Sequence, residues 1–237
     1  MVQHLCVLTP TYCGRNVRRG KHLQFPKPKS IGGFFAMFAQ VIQGKTSNPQ
    51  ALDAAISQWQ KDLAPGATGW LGSTSGVTED GRAIAVVRFE SEEDARRNSN
   101  RPEQDKWWSE TAKLFDGDAT FKDSTDVLVD VSGDPDNAGF VQVMQGRSND
   151  PERARQLMDQ DSDKWAEFRP DILGSVAVSH DDGGYTMVLY FTSEAEAREG
   201  ERKEPPPELQ AQMAEMDKLS VGETEFFDLK QPKILSP

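Results

Sequence analysis

The chain has 237 residues, with 27 Lys and Arg against 38 Asp and Glu and a formal net charge of -11. An acidic protein of this kind has no broad basic face to offer nucleic acid or an anionic membrane, so neither is expected as a partner. No apolar run approaches the roughly eighteen residues of a membrane-spanning helix.

Charge is unevenly placed. Residues 1–52 contain no Asp or Glu, and six basic residues (Arg15, Arg18, Arg19, Lys21, Lys27, Lys29) lie in 1–36, which leaves 21 basic against 38 acidic groups elsewhere. Arg18-Arg19 followed by the apolar run Ile31 to Ile42 resembles a secretory signal. An internal repeat argues against that reading. Phe38-Ala39-Gln40-Val41-Ile42-Gln43-Gly44 recurs as Phe140-Val141-Gln142-Val143-Met144-Gln145-Gly146, so half of the supposed signal is a strand whose twin sits in mid-chain. Residues 1–36 are expected to be a disordered basic extension, read as a leader upstream of a true start near Met37. Both cysteines, Cys6 and Cys13, fall there; with His4 and His22 they match no metal-ligand spacing, so no metal is expected. The cysteine-free body suits a reducing compartment, and a cytoplasmic location is expected.

The repeat runs on without a gap through Pro49/Pro151, Leu71-Gly72-Ser73/Leu173-Gly174-Ser175, Gly81/Gly183 and Phe89/Phe191. Ala95-Arg96 then matches Ala197-Arg198, and with three extra residues in the second copy Gly117 and Phe121 fall on Gly222 and Phe226. Taken in order, Phe38 to Gly44 is a strand ending on Gly. Asn48 caps a helix opened by Pro49, with Leu52, Ile56, Trp59 and Leu63 as its apolar stripe. Trp70 to Val77 and Ala83 to Phe89 are strands joined by a hairpin turn at Glu79-Asp80-Gly81. Ser91, with Asp94 three residues on, caps a second helix interrupted at Arg101-Pro102 and resuming through Trp107, Trp108 and Leu114. Thr120 to Val129 is read as one final strand.

The second copy repeats the order: strand 140–146, a helix from Pro151, strands at Leu173–Ser179 and Tyr185–Phe191, a helix from Ser193 broken at Pro205-Pro206-Pro207, and a strand near Glu225–Leu229. Each copy is β-α-β-β-α-β, the ferredoxin-like arrangement, whose sheet has helices on one face and needs its other face covered. The expected fold is therefore α+β, two tandem units (37–130 and 140–230) packed sheet to sheet as an intramolecular barrel. Residues 131–139 read as the linker and 231–237 as a C-terminal tail.

Two such units, each with a Phe-x-Ser-Glu-x-x-Ala-Arg junction (Phe89 to Arg96, Phe191 to Arg198), resemble the dimeric α+β barrel superfamily and especially its antibiotic-biosynthesis-monooxygenase-like members. The resemblance implies a fused version of a dimer that binds small ligands between sheet and helices or inside the barrel. It implies cofactor-independent oxygenation of phenolic substrates, haem degradation, or a stress-responsive role without known activity. Haem-degrading members are expected to present a histidine from the second helix. The equivalent segments here, 98–103 and 200–205, contain none, so no cofactor is expected. The function expected is a monooxygenase-like enzyme acting on a hydrophobic or phenolic molecule without a tightly bound cofactor, the alternative being a non-catalytic ligand-binding or stress-responsive α+β barrel. The chain is expected to be a monomeric pseudo-dimer or a homodimer.

Candidate site residues follow from chemistry and strand parity. His180, the one histidine of the body, is the first candidate for proton transfer, although its place beside Asp181-Asp182 also suits a solvated turn. Gln40 and Gln142 match each other mid-strand among apolar neighbours; facing a barrel interior, they would need a ligand, water or each other as partners. Arg88 and Tyr190 are equivalent on the third strand and point to the barrel if Phe89 and Phe191 lie under the helices. A cation and a phenol facing one cavity suit an anionic or phenolic ligand. Trp70 is a pocket candidate, Trp59 and Trp165 are core candidates, and one of Trp107 and Trp108 belongs at a pocket mouth or interface.

Overall fold

The structure, a computed structural model, describes residues 37–237. The basic extension, its cysteines and the question of its order lie outside these residues. The first repeat contains strand β1 (Phe38–Lys45), helix α1 (Pro49–Asp62), β2 (Trp70–Val77), β3 (Arg82–Phe89), α2 (Glu92–Ser99), α3 (Pro102–Thr111) and β4 (Thr120–Ser124). After β5 (Val127–Val131) the second repeat supplies β6 (Phe140–Arg147), α4 (Pro151–Asp159), α5 (Ser162–Phe168), β7 (Ile172–Ser179) and β8 (Gly184–Phe191). It closes with α6 (Glu194–Glu201), α7 (Pro207–Leu219), β9 (Glu225–Leu229) and β10 (Lys233–Leu235).

Local signals act as expected. The Asn48 side chain accepts from the Ala51 N–H at 3.1 Å, and Pro49 occupies the first turn, where it forfeits no hydrogen bond. Ser91 accepts from the Asp94 N–H at 3.1 Å and donates to its carboxylate at 2.6 Å, while Ser193 and Glu196 repeat the cap in the second copy. Pro102 and Pro207 each restart a helix. The first helix of the second repeat is instead broken at Asp161, whose φ of 57° is left-handed.

Two antiparallel five-stranded sheets result, ordered β10-β2-β3-β1-β4 and β5-β7-β8-β6-β9. This order corrects two expectations. The final strand read as 120–129 is two strands, β4 in the first sheet and β5 at the edge of the second. The tail 231–237 carries β10, which pairs with β2 of the first sheet, so each repeat lends an edge strand to the other. The duplicated Leu-Gly-Ser is where those strands dock. Both β2 and β7 shift register beside Leu71 and Leu173. A Cβ on Gly72 would stand 2.8 Å from the Leu235 carbonyl, and one on Gly174 would stand 2.7 Å from that of Asp130. At Gly72 the φ of +124° adds a second reason for glycine.

The sheets bury their inner faces against each other. Ala39, Val41, Ile84 and Val86 of the first meet Val141, Val143, Val176, Val178, Val188, Tyr190, Phe227 and Leu229 of the second. Burial of each such valine is worth about 1.5–3 kcal/mol, so this seam fixes the repeats as one barrel. Among the described residues no helix is long and apolar enough to cross a membrane, and no cluster of His, Cys, Asp and Glu is arranged to hold a metal.

Candidate functional site

A cavity of about 680 Å³ lies between the first sheet and its helices. Strand parity builds its floor. Phe38, Gln40 and Ile42 of β1, Ser73 and Ser75 of β2, and Ala83, Ala85, Val87 and Phe89 of β3 line it from below. Its helical wall comes from Leu52, Ile56 and Trp59 of α1 and Trp107, Trp108 and Thr111 of α3, with Phe115 and Phe121 at one end. Trp59 donates from Nε1 to Gln104 Oε1 at 2.7 Å, and Trp107 donates to the Ala55 carbonyl at 3.0 Å. Trp108 packs on Phe121 with ring centroids 5.2 Å apart. Both of the adjacent tryptophans therefore line the cavity, with their indoles tilted 47° to each other. A volume of this size, walled by aromatic carbon with a few amides and hydroxyls, is that of a small-molecule site.

The second repeat places larger side chains at the equivalent floor positions. Where the floor of the first repeat has Ala83, Ala85 and Ile42, the second has Tyr185, Met187 and Met144. On its helices Leu157 stands for Ala55 and Leu209 for Gln104; they are 2% and 0% exposed. Gln212 replaces Trp107, accepts a hydrogen bond from Trp165 Nε1 at 2.6 Å through Oε1 and donates to the Leu157 and Gln160 carbonyls, tying α7 to α4. Sequence reading missed this small-for-large exchange on the floor, although the aligned pairs Ala83/Tyr185 and Ala85/Met187 carry the signal.

The structure separates the sequence candidates into several places. Gln40 and Gln142 do not face the barrel interior: they share a face with Phe38 and Phe140, which lie under the helices. Gln40 lines the cavity and donates to Asp123 at 2.8 Å; Gln142 is 7% exposed and donates to Asp228 at 2.9 Å. The amides that meet across the pseudo-twofold are Gln43 and Gln145, bonded at 2.7 Å on the opposite parity of the same strands. Trp70 is core rather than cavity wall, 6% exposed and edge-on to Trp59 at 5.1 Å.

Arg88 and Tyr190 do point into the barrel and share a second cavity, of about 320 Å³, between the sheets. The Tyr190 hydroxyl bonds Thr74 Oγ1 at 2.6 Å, and burial raises its pKa above the usual phenol value. Arg88 donates to the Leu71 carbonyl at 3.4 Å, and Asp130, Asp134 and Asp136 line the same space. With three aspartates and one arginine in its lining, that cavity carries a net negative charge and is unsuited to an anion.

His180 stands apart from both cavities. Its Nε2 bonds Thr186 Oγ1 at 2.9 Å while its Nδ1 is buried without a partner. Burial lowers its pKa, Lys122 lowers it further, and Asp182 and Asp181 oppose the shift. His180 is half-buried within this hydrogen-bonded arrangement and lines neither cavity.

The chain is a fused pseudo-dimeric α+β barrel with a large cavity between sheet and helices in its first half. A proposed monooxygenase from Fusobacterium nucleatum superposes at a TM-score of 0.69 and 8% identity, over 84% of this chain and 94% of its own. A proposed monooxygenase from Lactobacillus acidophilus does so at 0.65 and 10% identity, over 84% and 99%. An anthrone oxidase-like protein matches at 0.59 and 10% identity, over 84% and 93%. At such identities the likeness is one of fold. No family model matches the sequence, and no curated protein matches it.

Proposed function

We propose that the protein is a monooxygenase-like enzyme that takes a hydrophobic, phenolic or ketonic aromatic molecule into the first-repeat cavity, without a tightly bound cofactor. One observation carries the reading: a cavity of about 680 Å³ walled by Trp59, Trp107, Trp108, Phe115 and Phe121 between the first sheet and its helices. Such walls exclude water and offer stacking surfaces, while Gln40, Ser73 and Thr111 supply a few hydrogen-bonding groups that orient a ring oxygen. The matching reaction converts an activated ring methylene to a carbonyl. The substrate supplies the electrons; one atom of O₂ enters the product and the other leaves as water.

A specific observation favours non-catalytic binding as the second reading. The ionisable groups of the lining all sit in ion pairs: Asp53 with Lys233, Glu79 with Lys230, and Asp228 with Arg198. No free base faces the aromatic interior among them. Anthrone added to the purified protein in an oxygen electrode separates the two. Oxygen uptake with stoichiometric anthraquinone supports the enzyme; tryptophan quenching without oxygen uptake leaves a binding protein; neither signal removes both. A cytoplasmic location and a monomeric or homodimeric state remain part of the proposal, on the cysteine-free body and the internally completed barrel.

A further inference from the structure

We propose that residues 230–235, which belong to the second repeat, are part of the ligand site of the first, held there by an ion pair between Lys233 and Asp53. The proposal rests on the cavity reading above. Lys230, Gln231 and Lys233 line the cavity beside the β2 edge. From the last strand of its own sheet the chain crosses to the first sheet, where β10 pairs with β2 over Lys233↔Ser75, Ile234↔Thr74 and Leu235↔Ser73. Leu235 is 6% exposed and packs in the cluster of Phe38, Trp59, Leu63, Trp70 and Phe89 behind the cavity.

A three-residue edge strand is marginal on backbone bonds alone, so side chains decide whether it stays. The Lys233 ammonium lies 2.6 Å from the Asp53 carboxylate and 3.2 Å from the Asp53 carbonyl, and it also bonds Ser57 Oγ. Three acceptors on successive turns of α1 fasten the strap to the helix that forms the opposite lip of the cavity. Lys230 adds a second tie, 2.9 Å from Glu79 at the β2–β3 turn.

The other repeat also ties its borrowed edge strand to a helix by an ion pair of opposite sense, placed two residues earlier along the strand, where the first repeat has Gln231. Asp126, just before β5, pairs with Arg155, which occupies the position of Asp53 on α4. In the first repeat the strap is a wall of an open cavity, so its position sets the shape a ligand meets.

The test is titration of 1-naphthol against intrinsic tryptophan fluorescence, with far-UV circular dichroism and urea midpoints on every variant. Asp53→Ala and Lys233→Ala should each weaken binding by about five-fold, the upper end for a partly exposed ion pair. The double exchange Asp53→Lys with Lys233→Asp should return affinity to within about two-fold of native, which loss of stability alone would not predict. Truncation after Gln231 should weaken binding by more than the single variants; if it unfolds, the charge variants decide. Native affinity in folded Asp53→Ala and Lys233→Ala, or failure of the exchanged pair to recover, overturns the strap while leaving the cavity reading intact. No 1-naphthol binding to the native protein overturns both.

Discussion

Gln43 on β1 and Gln145 on β6 occupy the same position of the repeat, and their amides meet across the pseudo-twofold, Nε2 of Gln43 donating to Oε1 of Gln145 at 2.7 Å. Gln145 Nε2 then donates to Thr186 Oγ1 at 2.9 Å, and Thr186 bonds His180 Nε2 at 2.9 Å. A hydrogen-bonded chain therefore crosses the apolar seam between the sheets and ends on the one histidine of the described residues. Removing one member leaves the next unsatisfied. Gln145→Leu should cost about 1–3 kcal/mol, or several degrees of Tm. The double variant Gln43→Leu with Gln145→Leu should cost less than the two single losses added together, because it leaves no orphan amide. Urea denaturation of the three variants measures it; additive losses would mean that the amides do not interact.

The exchange of Ala85 for Met187 between repeats makes a cavity-filling substitution available from the protein itself. Ala85→Met should abolish 1-naphthol binding while leaving Tm unchanged or raised, since the side chain enters open space and buries apolar area. Thermal melts and fluorescence titration on the same sample give both readouts. Retained binding would place the ligand elsewhere.

His180 predicts an acid limb of stability. Its folded pKa is lowered by burial from a reference of 6.5, so the unfolded chain binds the proton more readily. Stability from the neutral imidazole is complete above about 6.5 and falls as pH drops toward the lowered folded value, because protons then favour the unfolded state. His180→Gln should flatten this limb below about pH 6.5. Urea midpoints across that range check it, and an identical slope in both proteins would show that carboxylates alone set it.

Arg169 and Asp171 form a bidentate pair, Nε to Oδ1 at 2.9 Å and Nη2 to Oδ2 at 2.7 Å, with side chains 11% and 7% exposed. The guanidinium also lies over the Phe191 ring at 5.6 Å. Asp171→Asn leaves a cation buried without its counter-ion and should cost about 3–5 kcal/mol. Asp182→Asn, in an exposed pair with Arg147, should cost under about 1 kcal/mol. Equal losses in the two variants would contradict this ranking by burial.

The sequence by itself determined the repeat, the β-α-β-β-α-β order of each unit and the ends of most elements. These rest on short-range chemistry: Asn48 and Ser91 cap neighbouring N–H groups, Pro102 and Pro207 restart helices, and period two sorts each strand into faces. Tertiary structure alone decided which face met which layer. Parity placed Gln40 with Phe38, but only packing put Phe38 under helices and so turned Gln43, not Gln40, toward its twin. Strand exchange was equally hidden, because hydrogen bonding of β5 and β10 to the opposite repeat depends on sheet edges that no local pattern encodes. The cavity depended on volume summed over α1, α3 and three strands. Its cause was nonetheless written in the aligned repeats as alanine against tyrosine and methionine, a difference that gains meaning only once those positions are known to share one floor.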